Sequence, residues 1–267
     1  HIFKDKDVAK ILLSDIISTS HLDYSIDTCV DYTNEIQDRV AVWDRLKNSV
    51  KENSRFFTNM DEFAQYEYLT AGKSLHIGQK LYRSRVTPIG QKKIKWDKMG
   101  CPPKELTTAG RANPIGIPYL YLSDSAKTTY FEVRAVYLDK LSVGTFRIEK
   151  DLKLIDFVYD VNLFLSYNDG SVPLKETIIK KKVIEAISSD LSKPLRRYDS
   201  EIEYVPTQLI CEYCRRIVDS EGATADGITF ESSLHKGGRN YVLFDESAAK
   251  CIRVDSHEIT RIDIDRK

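Results

Sequence analysis

An arginine, a carboxylate and several turn-forming residues crowd into one stretch, Gly110 to Arg134, which reads GRANPIGIPYLYLSDSAKTTYFEVR. Gly110 and Gly116 give the backbone freedom on either side of Arg111. Ile117-Pro118-Tyr119-Leu120-Tyr121-Leu122 is a short apolar and aromatic run of the kind that forms a buried strand. Ser123 or Asp124 can cap a helix behind it, whose Ala126, Tyr130 and Val133 fall at helical spacing. A strand followed by a helix sets Arg111 on one side and Glu132 on the other, so that the two charges can meet in a cleft at the strand's end. The usual machinery of other chemistries is missing: the chain has no GxSxG, HExxH or GxGxxG. Gly72-Lys73-Ser74 ends like a P-loop, but no glycine precedes it at the required spacing, and the five histidines are scattered.

Other elements must hold this stretch in place. Gln79–Val86 alternates polar and apolar residues as a strand does, which puts Arg83 and Arg85 on one face. Residues 88–109 read as loop, with a basic patch at Gln91–Lys95 beside one aromatic, Trp96, too little for a nucleic-acid platform. Val143–Ile148 and Lys153–Phe157 read as strands, Ile178–Leu191 and Val205–Ile217 as helices. Gly227–Ser232 and Asn240–Phe244 form a strand pair around a Gly-Gly turn, and Cys251–Val254 and Ile259–Ile264 are short alternating segments. Strands before and after intervening helices, without regular βαβ alternation, argue for an α+β fold. Residues 1–70 read as helical, with Val8, Ile11, Leu12, Ile16 and Ile17 at helical spacing, Ile36, Val40, Val42, Trp43 and Leu46 after them, and a short helix within Asp61–Leu69. These helices are expected to set a solvated face over a packed stripe. No glycine or proline occurs before Gly72, so a helical domain over 1–75 and a second domain over 76–267 are expected.

Composition limits the partners. With 267 residues, 42% hydrophobic and 30% charged, and 40 acidic against 40 basic side chains, nothing points to a general polyanion binder or a membrane-surface protein. Apolar runs fall far short of the roughly 20 residues of a membrane span. The five cysteines are an odd number, and Cys211 and Cys214, a lone CxxC on a helix, read as buried thiols. A cytoplasmic protein without a structural metal is expected. A start at His1 suggests a fragment or a processed chain.

Taken together, Tyr82-Arg83, then Gly110-Arg111-Ala112-Asn113-Pro114-Ile115-Gly116 with Tyr121, then Glu132-Val133-Arg134, then Ser232 and Gly237-Gly238-Arg239-Asn240, resemble the RES-domain family in order and over most of the chain. The resemblance implies a split, twisted sheet like that of ADP-ribosyltransferases, which clasps NAD as substrate, with no metal and no further cofactor. It implies a toxin or defence-type enzyme that breaks the nicotinamide–ribose bond with water or phosphate as acceptor. Its rivals are transfer of ADP-ribose to protein and a non-catalytic binding module. On this resemblance Glu132, Arg83 and Ser232 are the catalytic candidates, with Ser233 the alternative to Ser232. Arg111, Tyr121, Tyr82, Asn113 and Arg85 are the NAD-binding ones. An arginine fork suits phosphate oxygens, and a carboxylate suits a ribose acquiring positive charge. An antitoxin or regulatory protein covering the cleft is the expected partner, with no role for nucleic acid or membrane.

Overall fold

The computed structural model describes residues 5–20, 23–65, 69, 71–158, 161–163, 173–193, 201–218 and 222–261. Contacts divide the chain into two compact units, His1–Asp38 and Arg39–Lys267. The first holds helix α1 (Lys6–Thr19), capped by Asp5, whose carboxylate accepts from the Asp7 amide at 2.8 Å. The periodicity there does form a helix, but no packed stripe: none of its residues is buried, and Ile11 is 64% exposed. Helix α2 (Asn34–Val40) runs across the division.

The second unit is an α+β fold around one eight-stranded sheet. Its strands are β1 (Ala71–Leu75), β2 (Lys80–Val86), β3 (Leu120–Ser123), β4 (Lys140–Ile148), β5 (Leu152–Asp156), β6 (Gly227–Glu231), β7 (Arg239–Leu243) and β8 (Ala249–Glu258). They lie in the order β1-β5-β6-β7-β3-β2-β4-β8, antiparallel except for the parallel pair β5 and β6. The β6–β7 hairpin expected around the Gly-Gly turn is present, with Phe230 opposite Asn240. Residues 259–261 carry no strand, and the rest of the segment expected there lies outside the described residues.

One junction of the sheet differs from the rest. Strands β2 and β4 pair over seven positions and β4 and β8 over nine, whereas β2 and β3 share a single pair, Tyr82 with Ser123. The sheet therefore splits between β2 and β3. The core on one face joins both sides of that split, through Leu81 of β2, Leu120 and Leu122 of β3, and Phe146 and Ile148 of β4, with Met99 from the loop before β3. Each such side chain removed from water is worth about 1.5–3 kcal/mol.

Helices supply the remaining cover. Helix α3 (Val42–Asn48), with Trp43 fully buried, lies against α6 (Leu174–Ser192), where the Trp43 indole donates to Asp190 at 2.7 Å. Ile179, Val183, Ile187 and Leu191 of α6, four residues apart, make its buried stripe. Helix α4 (Asp61–Gln65) sets Phe63 edge-on to Tyr213 of α7 (Val205–Cys214), at 5.8 Å between ring centres. Thus residues 39–65 and strand β1 pack with the sheet and its helices. The contacts divide the chain after residue 38, while the glycine-bearing sequence that suggested a boundary at 75 marks only the change from helices to strands. The CxxC thiols of α7 are both fully buried.

Candidate active site

The split in the sheet holds a cavity of about 400 Å³, within the usual range for small-molecule sites. Tyr82, Arg83 and Ser84 line it from β2, and Tyr121, Leu122 and Ser123 from β3. Helix α5 (Ala126–Glu132) lies over the split. Its cap is Ser125, whose hydroxyl accepts from the Thr128 amide at 3.2 Å, and not Ser123 or Asp124. Those two are still engaged with the sheet: Ser123 pairs with Asn240, and the Asp124 amide donates to Arg239. Two threonines face inward from α5 where apolar side chains were expected. Thr129 meets Ser84 of β2 at 2.5 Å, and Thr128 donates to Asp124 at 2.7 Å. A polar underside fits a helix that spans a gap in a sheet and not a closed apolar surface.

Glu132 ends α5 at the cavity and is itself solvent-exposed. Two donors converge on its Oε1: the Ser232 hydroxyl at 2.7 Å and the Asn240 side-chain amide at 2.7 Å. No hydrogen bond is made to Oε2 among the described residues. One oxygen is therefore clamped while the other is available to a ligand. Ser232, at 6% exposure, also accepts from the His235 amide at 3.1 Å, so its one hydrogen is committed to Glu132 and its oxygen to the turn that follows. Of the two serines, Ser233 lines the cavity, while Ser232 stands behind Glu132 as its hydrogen-bond partner. Strand β6 ends at Glu231, so strict alternation no longer governs the two serines.

The arginines separate as well. Arg83 lines the cavity, and its Nη1 is buried without a hydrogen-bond partner. Burial, and then the charge of Arg85, pull its pKa down to about 10, so it stays a cation at neutral pH. Its neighbour Cys101 is pushed up to about 12 by burial and then by Glu246. At neutral pH that thiol is uncharged and leaves the Arg83 charge uncompensated. Arg85 takes no part in lining the cavity, a correction to its expected role: its Nη2 donates to the Gly100 carbonyl at 2.6 Å, where β2 is already paired with Ser142 of β4. Arg111 lines the cavity and donates from Nη1 to the Leu191 carbonyl at 2.6 Å, in the last turn of α6. Burial lowers its pKa, opposed by Tyr204 and Glu132.

The loop carrying Arg111 is built by the neighbouring polar residues. The Tyr121 hydroxyl accepts from the Ala112 amide at 3.0 Å and donates to Asn113 Oδ1 at 2.8 Å. The Asn113 amide nitrogen donates to the carbonyls of Thr108 and Pro114, both at 3.0 Å. Asn113 therefore shapes the loop with both of its amide N–H groups and lines the cavity as well. Tyr121 contributes its ring to the cavity while its hydroxyl is structural. Gly110 is required by close approach: a Cβ there would stand 2.5 Å from Asn113 Oδ1 and 2.8 Å from the Tyr121 oxygen.

Of the expected site residues, Arg83, Arg111, Tyr82, Tyr121 and Glu132 come together at the cavity, with Asn113 in its wall. The reading missed Asn240, although it closes the Gly-Gly-x-Asn motif whose presence was itself the signal. Among the described residues, no group of three or more His, Cys, Asp or Glu could hold a metal ion, and no helix is long and apolar enough to cross a membrane. Comparison with curated proteins and with solved structures gives no match. The family model of the RES domain, by contrast, matches residues 80–263. That span opens at the first residue of β2, runs past the end of β8, and takes in the cavity, both of its arginines and Glu132, so the chain belongs to the RES-domain family.

Proposed function

We propose that the chain cleaves NAD at the bond between nicotinamide and its ribose, passing the ADP-ribosyl group to water or phosphate. The observation that carries this reading is Glu132: an exposed carboxylate with one oxygen clamped and the other available, at a cavity that also holds two arginines. In the reaction the C1′–N bond breaks and its electron pair stays on nitrogen. Nicotinamide thus leaves neutral and needs no general acid. The ribose becomes an oxocarbenium-like cation, which the Glu132 carboxylate stabilises. Water then adds to C1′ and loses one proton to solvent, whereas phosphate adds through an oxygen that is already ionised. Arg83 and Arg111 hold the pyrophosphate, and the rings of Tyr82 and Tyr121 border the nicotinamide. Arg83, buried with one nitrogen unpartnered and beside an uncharged thiol, is a cation suited to an anionic ligand. Loss of cellular NAD by this route would make the active chain toxic, and a protein covering the cavity mouth would restrain it.

Incubation of the purified chain with NAD, with and without phosphate, tests the reading. Nicotinamide with ADP-ribose means water is the acceptor, and nicotinamide with ADP-ribose 1″-phosphate means phosphate is. Label appearing on added protein would instead favour protein ADP-ribosylation. No release of nicotinamide under any of these conditions would reject NAD cleavage.

A further inference from the structure

Ser123 stands at the junction of the split sheet. It is the one residue of β3 paired with β2, and on its other side it pairs with Asn240 of β7. It is 4% exposed, and its hydroxyl donates to Asn240 Oδ1 at 2.8 Å. Asn240 then donates from Nδ2 to Glu132 Oε1 at 2.7 Å. The sheet junction is thereby joined to the carboxylate by two consecutive hydrogen bonds.

The direction of both bonds is fixed by chemistry. An ionised carboxylate only accepts, so Asn240 must turn its NH2 toward Glu132. That leaves the amide oxygen facing Ser123, and the serine must be the donor. With the amide reversed, Asn240 Oδ1 would stand against Glu132 Oε1, acceptor against acceptor, with Asn240 itself buried. The two orientations of an asparagine amide have nearly the same shape, so packing alone discriminates poorly between them. The donors and acceptors at its two ends make the choice.

We propose that Ser123 is a positioning residue for the reaction, acting through Asn240 to hold the Glu132 carboxylate in its working orientation. Ser232 secures the same oxygen from the opposite element, so Glu132 is fixed from β7 and from the end of β6 together. The inference rests on the NAD-cleaving reading of this cavity. Because Ser123 also lines the cavity, direct contact with substrate is the competing explanation, and the two differ in what happens when Asn240 is removed.

The test is steady-state kinetics with NAD for wild type, Ser123→Ala, Ser123→Thr, Asn240→Ala and the Ser123→Ala/Asn240→Ala double variant, with melting temperatures for each. Ser123→Ala should lower kcat by about 5–30-fold, the scale of one buried hydrogen bond with its acceptor stranded. KM should stay within about twofold, since the loss lies in the transition state. Ser123→Thr, which keeps the hydroxyl, should retain most of the wild-type kcat. The double variant should be no slower than Asn240→Ala alone, because the serine acts only through that amide.

A loss in the double variant equal to the product of the single losses would overturn the proposal in favour of direct contact. A Ser123→Ala enzyme with wild-type kcat, or one impaired only in KM, would overturn it as well. If Asn240→Ala does not fold, the Ala and Thr variants at 123 decide alone. If the wild-type chain releases no nicotinamide, NAD cleavage fails separately. The coupling of Ser123 to Glu132 is then read from denaturant unfolding of Ser123→Ala, Glu132→Ala and their combination, where strict additivity would reject it.

Discussion

Glu132 and Arg83 illustrate two ways of preparing a charge. The carboxylate is held at one oxygen by Ser232 and Asn240, so its orientation is set before any ligand arrives. In Glu132→Gln the amide oxygen can keep both bonds, which turns the NH2 edge toward the cavity and presents partial positive charge to the developing cation. We expect kcat to fall by roughly 10²–10³-fold with a smaller change in KM, the scale of losing one electrostatic stabiliser. Arg83 is prepared differently, by withholding partners. Its pKa of about 10, against an ordinary 12.5, is that of a cation disfavoured by folding. The penalty is fully present below about pH 10 and is relieved as pH rises beyond it, because above that pH the unfolded chain binds more protons. Arg83→Met should therefore melt no lower than wild type at pH 7 and gain up to about 2 kcal/mol, and we expect added NAD to raise its melting temperature less than that of wild type. A clear drop in melting temperature would mean that the guanidinium is a structural support. The residue types at these positions were legible in the sequence, because an arginine on an alternating strand and a glutamate on a capped helix are local signals. Which oxygen, which serine and which arginine were not. Those depend on where β6 ends and on how β2 meets the loop at Gly100.

At the scale of elements, the site follows from three short pieces that the sheet leaves incompletely closed: β2, β3 and α5. The strand expected over Ile117–Leu122 begins only at Leu120 and extends through Ser123, because β7 supplies pairing partners from Leu120 onward. Helix α5 was legible as a helix but not in its facing, since threonines and not apolar residues turn inward over a polar split. The loop before β3 was readable from its glycines, and the structure supplies the reason for Gly110. Gly110→Ala would force Cβ into Asn113 Oδ1 and the Tyr121 hydroxyl. We expect it to cost about 1–3 kcal/mol, as overpacking does, and to raise KM by displacing Arg111. Unchanged stability and KM would show that the loop has room to shift. The order of strands lay beyond the sequence altogether: β2 pairs with β4, β4 with β8 and β3 with β7, contacts between segments far apart in the chain.

Across the whole molecule, helical sequence at the N-terminal side serves two different units. Residues 39–65 belong with the sheet: Arg39 makes a two-pronged ion pair with Glu176 at 2.7 Å, and Trp43 is fully buried beside Asp190. β1 extends the sheet by pairing with β5. A chain beginning at Asn34, which keeps α2 whole, should retain a cooperative melt, whereas one beginning at residue 76 should lose β1, Trp43 and Phe63 together and be strongly destabilised. Equal melting temperatures for the two would put the structural boundary at 75 after all. None of this bears on chemistry unless the cavity cleaves NAD, and one measurement addresses that most directly. Nicotinamide released from NAD is followed for the wild-type chain and for Glu132→Gln, with circular dichroism confirming that both are folded. The account predicts steady release by wild type and a rate lower by roughly two orders of magnitude or more in the variant. Release by the folded variant at the wild-type rate, or none by the wild type, would contradict it.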